Sequence, residues 1–441
     1  MTESTTRFTF LQFSDVLLDA KLTHAGLSQS GLTHSNFSLE KHVRAERARE
    51  LQEATINAFA LAKDQKVDAI LIPGGLWDNV TATSRTINNL VEAASSVGNI
   101  PIYIAPGHRD FFTRSSLYTN DMLSARGLKP WPENVHVFTS EHFSSVVHPT
   151  MHNVCFTGRA ITKGARRTER ILSGKLPKSR LAAINVGLFA GSLESHPSLI
   201  NDPLSLEPRK PLIYPFSEDE LEAQNLTYAA VGHIKDGYQI FNSQDKLLGA
   251  YAGCLAGGSF QELGQRFAIL GSIEVEEGGE PNVTLTPQEL DVRRMMLVTV
   301  DVSGLGDEEI KDEIVINIED SGVRPDTDVV ALNLEGRHKP GCYPKQIAEE
   351  LSDNFYHLLV VDNTRPDYLA ERFDERTTEW KYIEAMLAMK TNAEKPRGRE
   401  MGSDSLSGLP GADLSGKTVE DALYYGLDAL KLKRVIVRNV G

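Results

Sequence analysis

The chain runs to 441 residues with 46 basic and 60 acidic side chains, a formal charge of −14. Hydrophobic residues at 41% and charged residues at 24% describe two or three domains with a real core and exclude a disordered chain. The acidic surplus excludes nucleic-acid coating by the whole surface, though not a local basic groove, and no apolar window reaches the ~18 residues of a membrane span.

The start, MTESTTRFTF, lacks a basic stretch followed by an apolar one, so no secretory leader is expected. Cys155, Cys254 and Cys342 stand far apart in no metal-like spacing, which fits a reducing cytoplasm. Phe8 to Phe13 reads as a strand ending at Ser14-Asp15. Arg44 to Gln65 reads as a helix, with Leu51, Thr55, Ala58 and Ala62 on one face. Val67 to Ile72 is a strand ending at Pro73-Gly74-Gly75-Leu76-Trp77-Asp78, and Ile100 to Ala105 another ending at Pro106-Gly107-His108-Arg109-Asp110. Leu181 to Leu188 leads into Phe189-Ala190-Gly191-Ser192, and Thr227 to Val231 ends at Gly232-His233-Ile234-Lys235. Strands bounded by turn residues and separated by helical stretches predict an α/β core, with polar residues gathered where open α/β sheets place their sites.

From Val292 the pattern changes to short strands and helices reaching about Pro366. Glu375 to Met389 is predicted helical, residues 394–416 a flexible linker, and Thr418 to Leu430 a helix presenting Val419, Leu423, Leu427 and Leu430 on one face. The predicted domains are therefore 1–288, a small α+β capping domain over 289–370, and a helical C-terminal region over 371–441. The acidic run from Glu274 to Glu280 is expected to be a hairpin tip or loop.

The order of strand-end motifs, SD-x-L, PGGLWDN, APGHRD, LFAGS and VGHIK, resembles the calcineurin-like metallophosphoesterases. Within them it resembles the SbcD/YhaO-type, Mre-like DNA repair nucleases; YAGCLAGGSFQELG at 251–264 and ALYYGLDAL at 422–430 extend the likeness along nearly the whole chain. The resemblance implies a two-sheet α/β sandwich with a capping domain and a C-terminal partner-binding region. It also implies a homodimer working with an SMC-like ATPase of the SbcC or YhaN kind, DNA as the bound substrate and no membrane.

In that family D-x-H, G-D, G-N-H-D, an H-G-S-like turn and G-H-x-H hold two manganese-type ions, which clamp a phosphodiester and generate hydroxide. Transferred position by position, Asp15 is kept but Leu17 replaces the first His, and Gly75 replaces the carboxylate expected to bridge both ions. His108 replaces the Asn ligand, and Arg109 replaces the catalytic His that Asp110 would have oriented. Phe189 or Ala190 stands where a His is expected; His233 is kept and Lys235 replaces its partner. Leucine, glycine and alanine side chains donate no lone pair, and a lysine ammonium repels a cation. No metal or other cofactor is therefore expected, and no catalytic residue; the alternative is a weak or single Mn²⁺ held by Asp15, His108 and His233. A shifted site could draw on Asp78, with Asn79, Asp19 and His24 near by in sequence. Arg109 and Lys235 could instead neutralise Asp15 and Asp110 in a metal-free pocket that is either purely structural or takes a phosphate.

Between residues 159 and 180, Arg159, Lys163, Arg166, Arg167, Arg170, Lys175, Lys178 and Arg180 stand against Glu169 alone, a net of +7. This run is the candidate DNA-backbone contact, and the alternative is a solvated face. Two functions follow: a non-cutting, SbcD-like subunit of a DNA-end-binding complex, with Tyr382–Met389 and Thr418–Leu430 docking the ATPase, or an active Mn²⁺-dependent nuclease with a rearranged site.

Overall fold

The computed structural model describes residues 5–20, 39–162, 169–199, 212–276, 278–370, 373–393 and 416–433. It divides into two compact units, residues 1–296 with 327–329, and residues 297–326 with 330–441.

In chain order the first unit carries β1 (Thr6–Gln12), α1 (Lys41–Asp64), β2 (Ala69–Ile72), α2 (Ser84–Ser96), β3 (Ile102–Ile104), α3 (Asn120–Ala125) and β4 (Val135–Val137). There follow β5 (Ser144–Val147), β6 (Val154–Gly158), β7 (Ile184–Ala190), α4 (Glu218–Glu222), β8 (Tyr228–Gly232) and β9 (Tyr238–Phe241). The unit closes with β10 (Leu247–Tyr251), β11 (Phe267–Val275) and β12 (Asn282–Glu289). These strands form two six-stranded sheets, ordered β12-β11-β1-β2-β3-β4 and β5-β6-β7-β8-β10-β9. The inner strands run parallel, β1 with β2, β2 with β3 and β6 through β8 to β10, while β11, β12, β5 and β9 run antiparallel to their neighbours. The fold is a two-sheet α/β sandwich.

The parallel strands read as nearly unbroken apolar runs because both their faces are covered. Phe8, Phe10, Leu71 and Tyr103 of the first sheet meet Phe156, Val186, Leu188 and Tyr228 of the second between the layers. On the first sheet's other face Leu11, Phe13, Ile70 and Ile104 pack under Leu51, Ala58 and Phe59 of α1 and Ile87 and Leu90 of α2. The interlayer also holds one polar bridge: Gln12 donates to the Ala250 carbonyl at 2.8 Å and accepts from the Tyr228 hydroxyl at 2.6 Å, so its burial leaves no amide end unpaired.

The buried stripe of α1 includes a charge that periodicity did not reveal. Arg47 is 1% exposed; it reaches Glu50 at 2.6 Å and Asp291 at 2.9 Å and holds the Gly257 carbonyl through two nitrogens. Every face of the guanidinium is thereby satisfied, and α1 is tied to the loop that follows β10. Of the acidic run at 274–280, Glu274 lies in β11 while Glu276 and Glu280 fall between β11 and β12, as expected of a hairpin tip; Glu277 lies outside the described residues.

The second unit centres on a three-stranded sheet, ordered β13-β14-β16, of β13 (Met295–Asp301), β14 (Val329–Glu335) and β16 (His357–Asp362). Around it lie α5 (Asp307–Asp320), α6 (Pro344–Glu349) and a short pair, β15 (Arg337–His338) with β17 (Arg365–Pro366). Helices α7 (Thr378–Ala393) and α8 (Gly416–Leu432) pack together through Ile383, Leu423, Tyr424 and Leu427. Gly426 permits their approach, since a Cβ there would lie 2.1 Å from the Tyr382 hydroxyl. Residues 394–415 of the predicted linker lie outside the described residues.

Candidate functional site

The ends of β1, β2, β3 and β8 converge. The segment after β1 runs alongside that after β2, with Asp15, Leu17 and Leu18 N–H donating to the Gly74, Gly75 and Leu76 carbonyls at 3.1, 2.8 and 3.0 Å. This contact holds unusual backbone: φ is +52° at Asp15, +50° at Leu17, +75° at Gly75 and +98° at His233. Left-handed conformations at non-glycine residues cost energy and persist only where surrounding contacts fix them.

A cleft of about 360 Å³ opens among these ends, lined by Asp15, His108, Arg109, His233 and Lys235 together with Cys254 and Glu262 from the segment after β10. Asp15 is 3% exposed, and its Oδ2 accepts from the Ser14 hydroxyl at 2.7 Å and the His233 N–H at 2.8 Å. Burial is the largest influence on this carboxyl and pushes it up to about 7, so near neutral pH it carries only part of a charge. The His108 and His233 rings stand edge to face with centroids 4.6 Å apart and share one hydrogen bond between their Nδ1 atoms at 3.1 Å. Burial lowers His108 to about 3 and His233 to about 4, so both rings are neutral at physiological pH. One Nδ1 therefore donates to the other, and only the donating ring keeps a free nitrogen lone pair.

Asp110 sits just behind. It is fully buried and accepts four hydrogen bonds: Gly75 N–H at 2.9 Å, Gly107 N–H at 2.8 Å, Leu76 N–H at 3.0 Å and the Tyr118 hydroxyl at 2.6 Å. Burial raises its pKa against the pull of those donors. Asp110 has therefore not simply lost a histidine to orient; it knots the ends of β2 and β3 together through backbone donors.

The two cations also find other partners than the sequence suggested. Arg109 pairs with Asp78 at 2.5 Å, not with Asp110, and Lys235 pairs with Glu262 at 2.5 Å, not with Asp15. Burial opposes the Lys235 charge, yet Glu262 holds its pKa above the ordinary value; burial opposes the Glu262 charge too, yet Lys235 and the Ser259 hydroxyl keep that carboxylate low. Neither cation forms an ion pair with Asp15 or Asp110: burial and hydrogen bonds from neutral donors dominate both carboxyls, and the Lys235 charge adds a smaller pull that lowers Asp15. Glu262 was missed as a site residue because only the fold brings it 27 positions back to Lys235.

A two-ion centre does not fit these residues. The resemblance sets its bridging carboxylate at position 75, where even a Cβ would lie 2.6 Å from the Asp15 Cα and 2.8 Å from its Oδ1. Leu17 and Ala190 offer no donor atom, and Ala190 and Phe189 belong to the apolar layer beyond the second sheet. Asp78 accepts the Val80 N–H at 2.8 Å besides its pair with Arg109, and Asp19 accepts the Thr83 N–H at 2.7 Å. Asn79 bridges the Trp77 indole N–H at 2.9 Å and the Phe111 carbonyl at 3.1 Å. His24 lies outside the described residues. Among the described residues, no group of three or more His, Cys, Asp or Glu side chains is placed to hold a metal ion.

The basic run is not one uniform face. Lys163, Arg166 and Arg167 lie outside the described residues. Arg159 is buried between the Phe143 and Tyr214 rings, 5.7 and 5.2 Å from their centroids, and burial lowers its pKa. Arg170 is engaged by Glu194 at 2.9 Å and Glu220 at 2.5 Å, and Lys178 donates to the Asn225 carbonyl at 2.9 Å. Lys175 and Arg180, by contrast, make no ion pair among the described residues.

No family model matches the chain, and no curated protein does. Among solved structures it is similar to TT1561 of Thermus thermophilus, at 13% identity and a TM-score of 0.31 over 65% of this chain and all of that one. It is also similar to a dimetal phosphatase from Danio rerio, at 12% identity and a TM-score of 0.34 over 63% of this chain and 98% of that one. No helix among the described residues is long and apolar enough to cross a membrane.

Proposed function

We propose that this chain is a calcineurin-like metallophosphoesterase of the SbcD/YhaO kind that has exchanged its two-metal centre for a metal-free core of hydrogen bonds and ion pairs, and that it holds DNA ends without cutting them. The order of its strand-end motifs supports the family, and the steric closure at Gly75 carries the loss of chemistry. A two-metal phosphodiesterase needs a bridging carboxylate to offset the repulsion of ions about 3.5–4 Å apart. Here that position admits no side chain, and the two imidazoles share a hydrogen bond that leaves them one free nitrogen lone pair between them. An SMC-like ATPase of the SbcC or YhaN kind as partner, homodimerisation and a cytoplasmic setting belong to the same proposal and rest on the resemblance alone.

The test is an incubation of the purified chain with linear duplex and single-stranded DNA in the presence of Mn²⁺. The expected result is DNA binding that weakens steeply with salt, and no phosphodiester cleavage. Replacing both Lys175 and Arg180 by Ala should lower the logarithmic salt slope by about two, one unit per phosphate contact. Absence of DNA binding would contradict the DNA role. The second reading, a rearranged Mn²⁺-dependent nuclease, draws on the adjacency of Asp15, His108 and His233; cleavage abolished by Asp15→Ala with His233→Ala would establish it.

A further inference from the structure

Three of the described arginines are buried: Arg47, Arg159 and Arg266. Arg47 meets Glu50 and Asp291, and Arg266 meets Asp236 at 2.9 Å and the Lys235 and Leu263 carbonyls at 2.8 Å each. Arg159, 7% exposed, makes no hydrogen bond and no ion pair with any described residue; its Nε is enclosed without a partner, while neither Nη is enclosed. Glu169 and Glu141 act on it only through space. Taking a guanidinium out of water is costly unless a counter-charge offsets it, and the faces of two rings offset only part of that cost.

The fold holds this side chain in place. Val154 and Phe156 of β6 face the interlayer, and so does Gly158, where a Cβ would meet the Phe138 ring at 2.5 Å. Alternation sends Arg159 to the outer side of the second sheet, where its guanidinium lies 5.7 Å from the Phe143 centroid and 5.2 Å from that of Tyr214. Tyr214 is itself held in a left-handed conformation, with φ of +49°, between Ile213 and Phe216, both of which bond to Ser192 just past β7. Such strain persists only where surrounding contacts fix it, and it gathers where a fold maintains a site.

We propose that Arg159 anchors a phosphate-binding site on the outer side of the second sheet, its two Nη atoms gripping one phosphate monoester while Phe143 and Tyr214 hold the guanidinium. The planar fork matches two phosphate oxygens, and the near-double charge of a monoester at neutral pH gains more than a carboxylate does from an uncompensated cation. The phosphate belongs to a strand end or to a free phosphate compound. The proposal stands on the unpaired guanidinium and not on the reading of the strand-end site.

Thermal unfolding of the full chain in inorganic phosphate, against acetate of equal ionic strength, is the test. Once phosphate exceeds its Kd, each tenfold increase should raise Tm by about 2 °C more in the native chain than in Arg159→Met, which fills similar space without charge. The general stabilisation that phosphate gives by exclusion from protein surfaces is common to both and cancels in the difference. Arg159→Lys keeps the charge and loses the fork; it should need about tenfold more phosphate for the same rise, so the test survives misfolding of the Met variant. A duplex with phosphorylated ends, beside the same duplex with hydroxyl ends, separates the sources. Tighter binding of the phosphorylated duplex that is lost in the variants indicates a strand end, and a response confined to inorganic phosphate indicates a free compound. Equal rises in the native chain and the folded variants, or a rise in acetate as large as that in phosphate, would overturn the proposal.

Discussion

Gly75→Asp, which places a carboxylate where the proposed family resemblance would set one between two ions, is expected to destabilise the protein by about 4 kcal/mol or more and to confer no Mn²⁺ affinity. Two costs combine. The backbone at this position has φ of +75°, where a side chain costs roughly 1–3 kcal/mol. The new Cβ also lands 2.6 Å from the Asp15 Cα, a contact with main chain that no rotamer change can relieve. Gly75→Ala should cost nearly as much, because the Cβ rather than the carboxylate does the damage. Denaturant unfolding of the two variants checks this. A well-folded Gly75→Asp variant that gains cooperative Mn²⁺ binding would show that the site is one substitution from activity.

Asp110→Ala carries the other large effect, an expected loss of about 5 kcal/mol, enough to unfold many domains. Truncation strands three buried backbone N–H groups and the Tyr118 hydroxyl, each costing roughly 1–3 kcal/mol when left unpaired. Tyr118→Phe removes a single donor and should cost about 1 kcal/mol, with Asp110→Asn falling between, since its amide turns donors toward donors. A vestigial Asp110 kept only from an ancestral catalytic pair behaves otherwise: removing a buried, functionless carboxyl would leave stability unchanged or raised. Thermal unfolding of the three variants separates the two.

The contrast between legible and hidden features follows chain distance and donor type. The strands were visible because VDAILI and IPIYIA are buried on both faces and so show near-continuous apolar runs, and α1 because its inward residues recur at helical spacing. The positions at which the resemblance would expect ligands were visible too, since Leu17, Gly75 and Lys235 fall at fixed offsets from strand ends. What those substitutions achieve was hidden. The carboxylate partners of Arg109 and Lys235 lie 31 and 27 positions away, and nothing in the local pattern selects Asp78 or Glu262 over nearer acids. The role of Asp110 was hidden because three of its four donors are main chain, which sequence does not distinguish. The basic run misled in part for the same reason: Arg170 looks free until Glu194 and Glu220 arrive from 24 and 50 positions downstream. Arg47, an arginine fully buried on a helix face, was hidden because burial of a charge depends on partners such as Asp291, 244 positions away.

The proposed reading rests on one basis: a Cβ at position 75 would meet the Asp15 backbone, and the nearby carboxylates and cations are held by hydrogen bonds and ion pairs. Anomalous scattering from crystals soaked in Mn²⁺ tests this most directly. The account predicts no ordered ion against Asp15, His108 or His233; a pair of peaks about 3.5–4 Å apart in that cleft would contradict it.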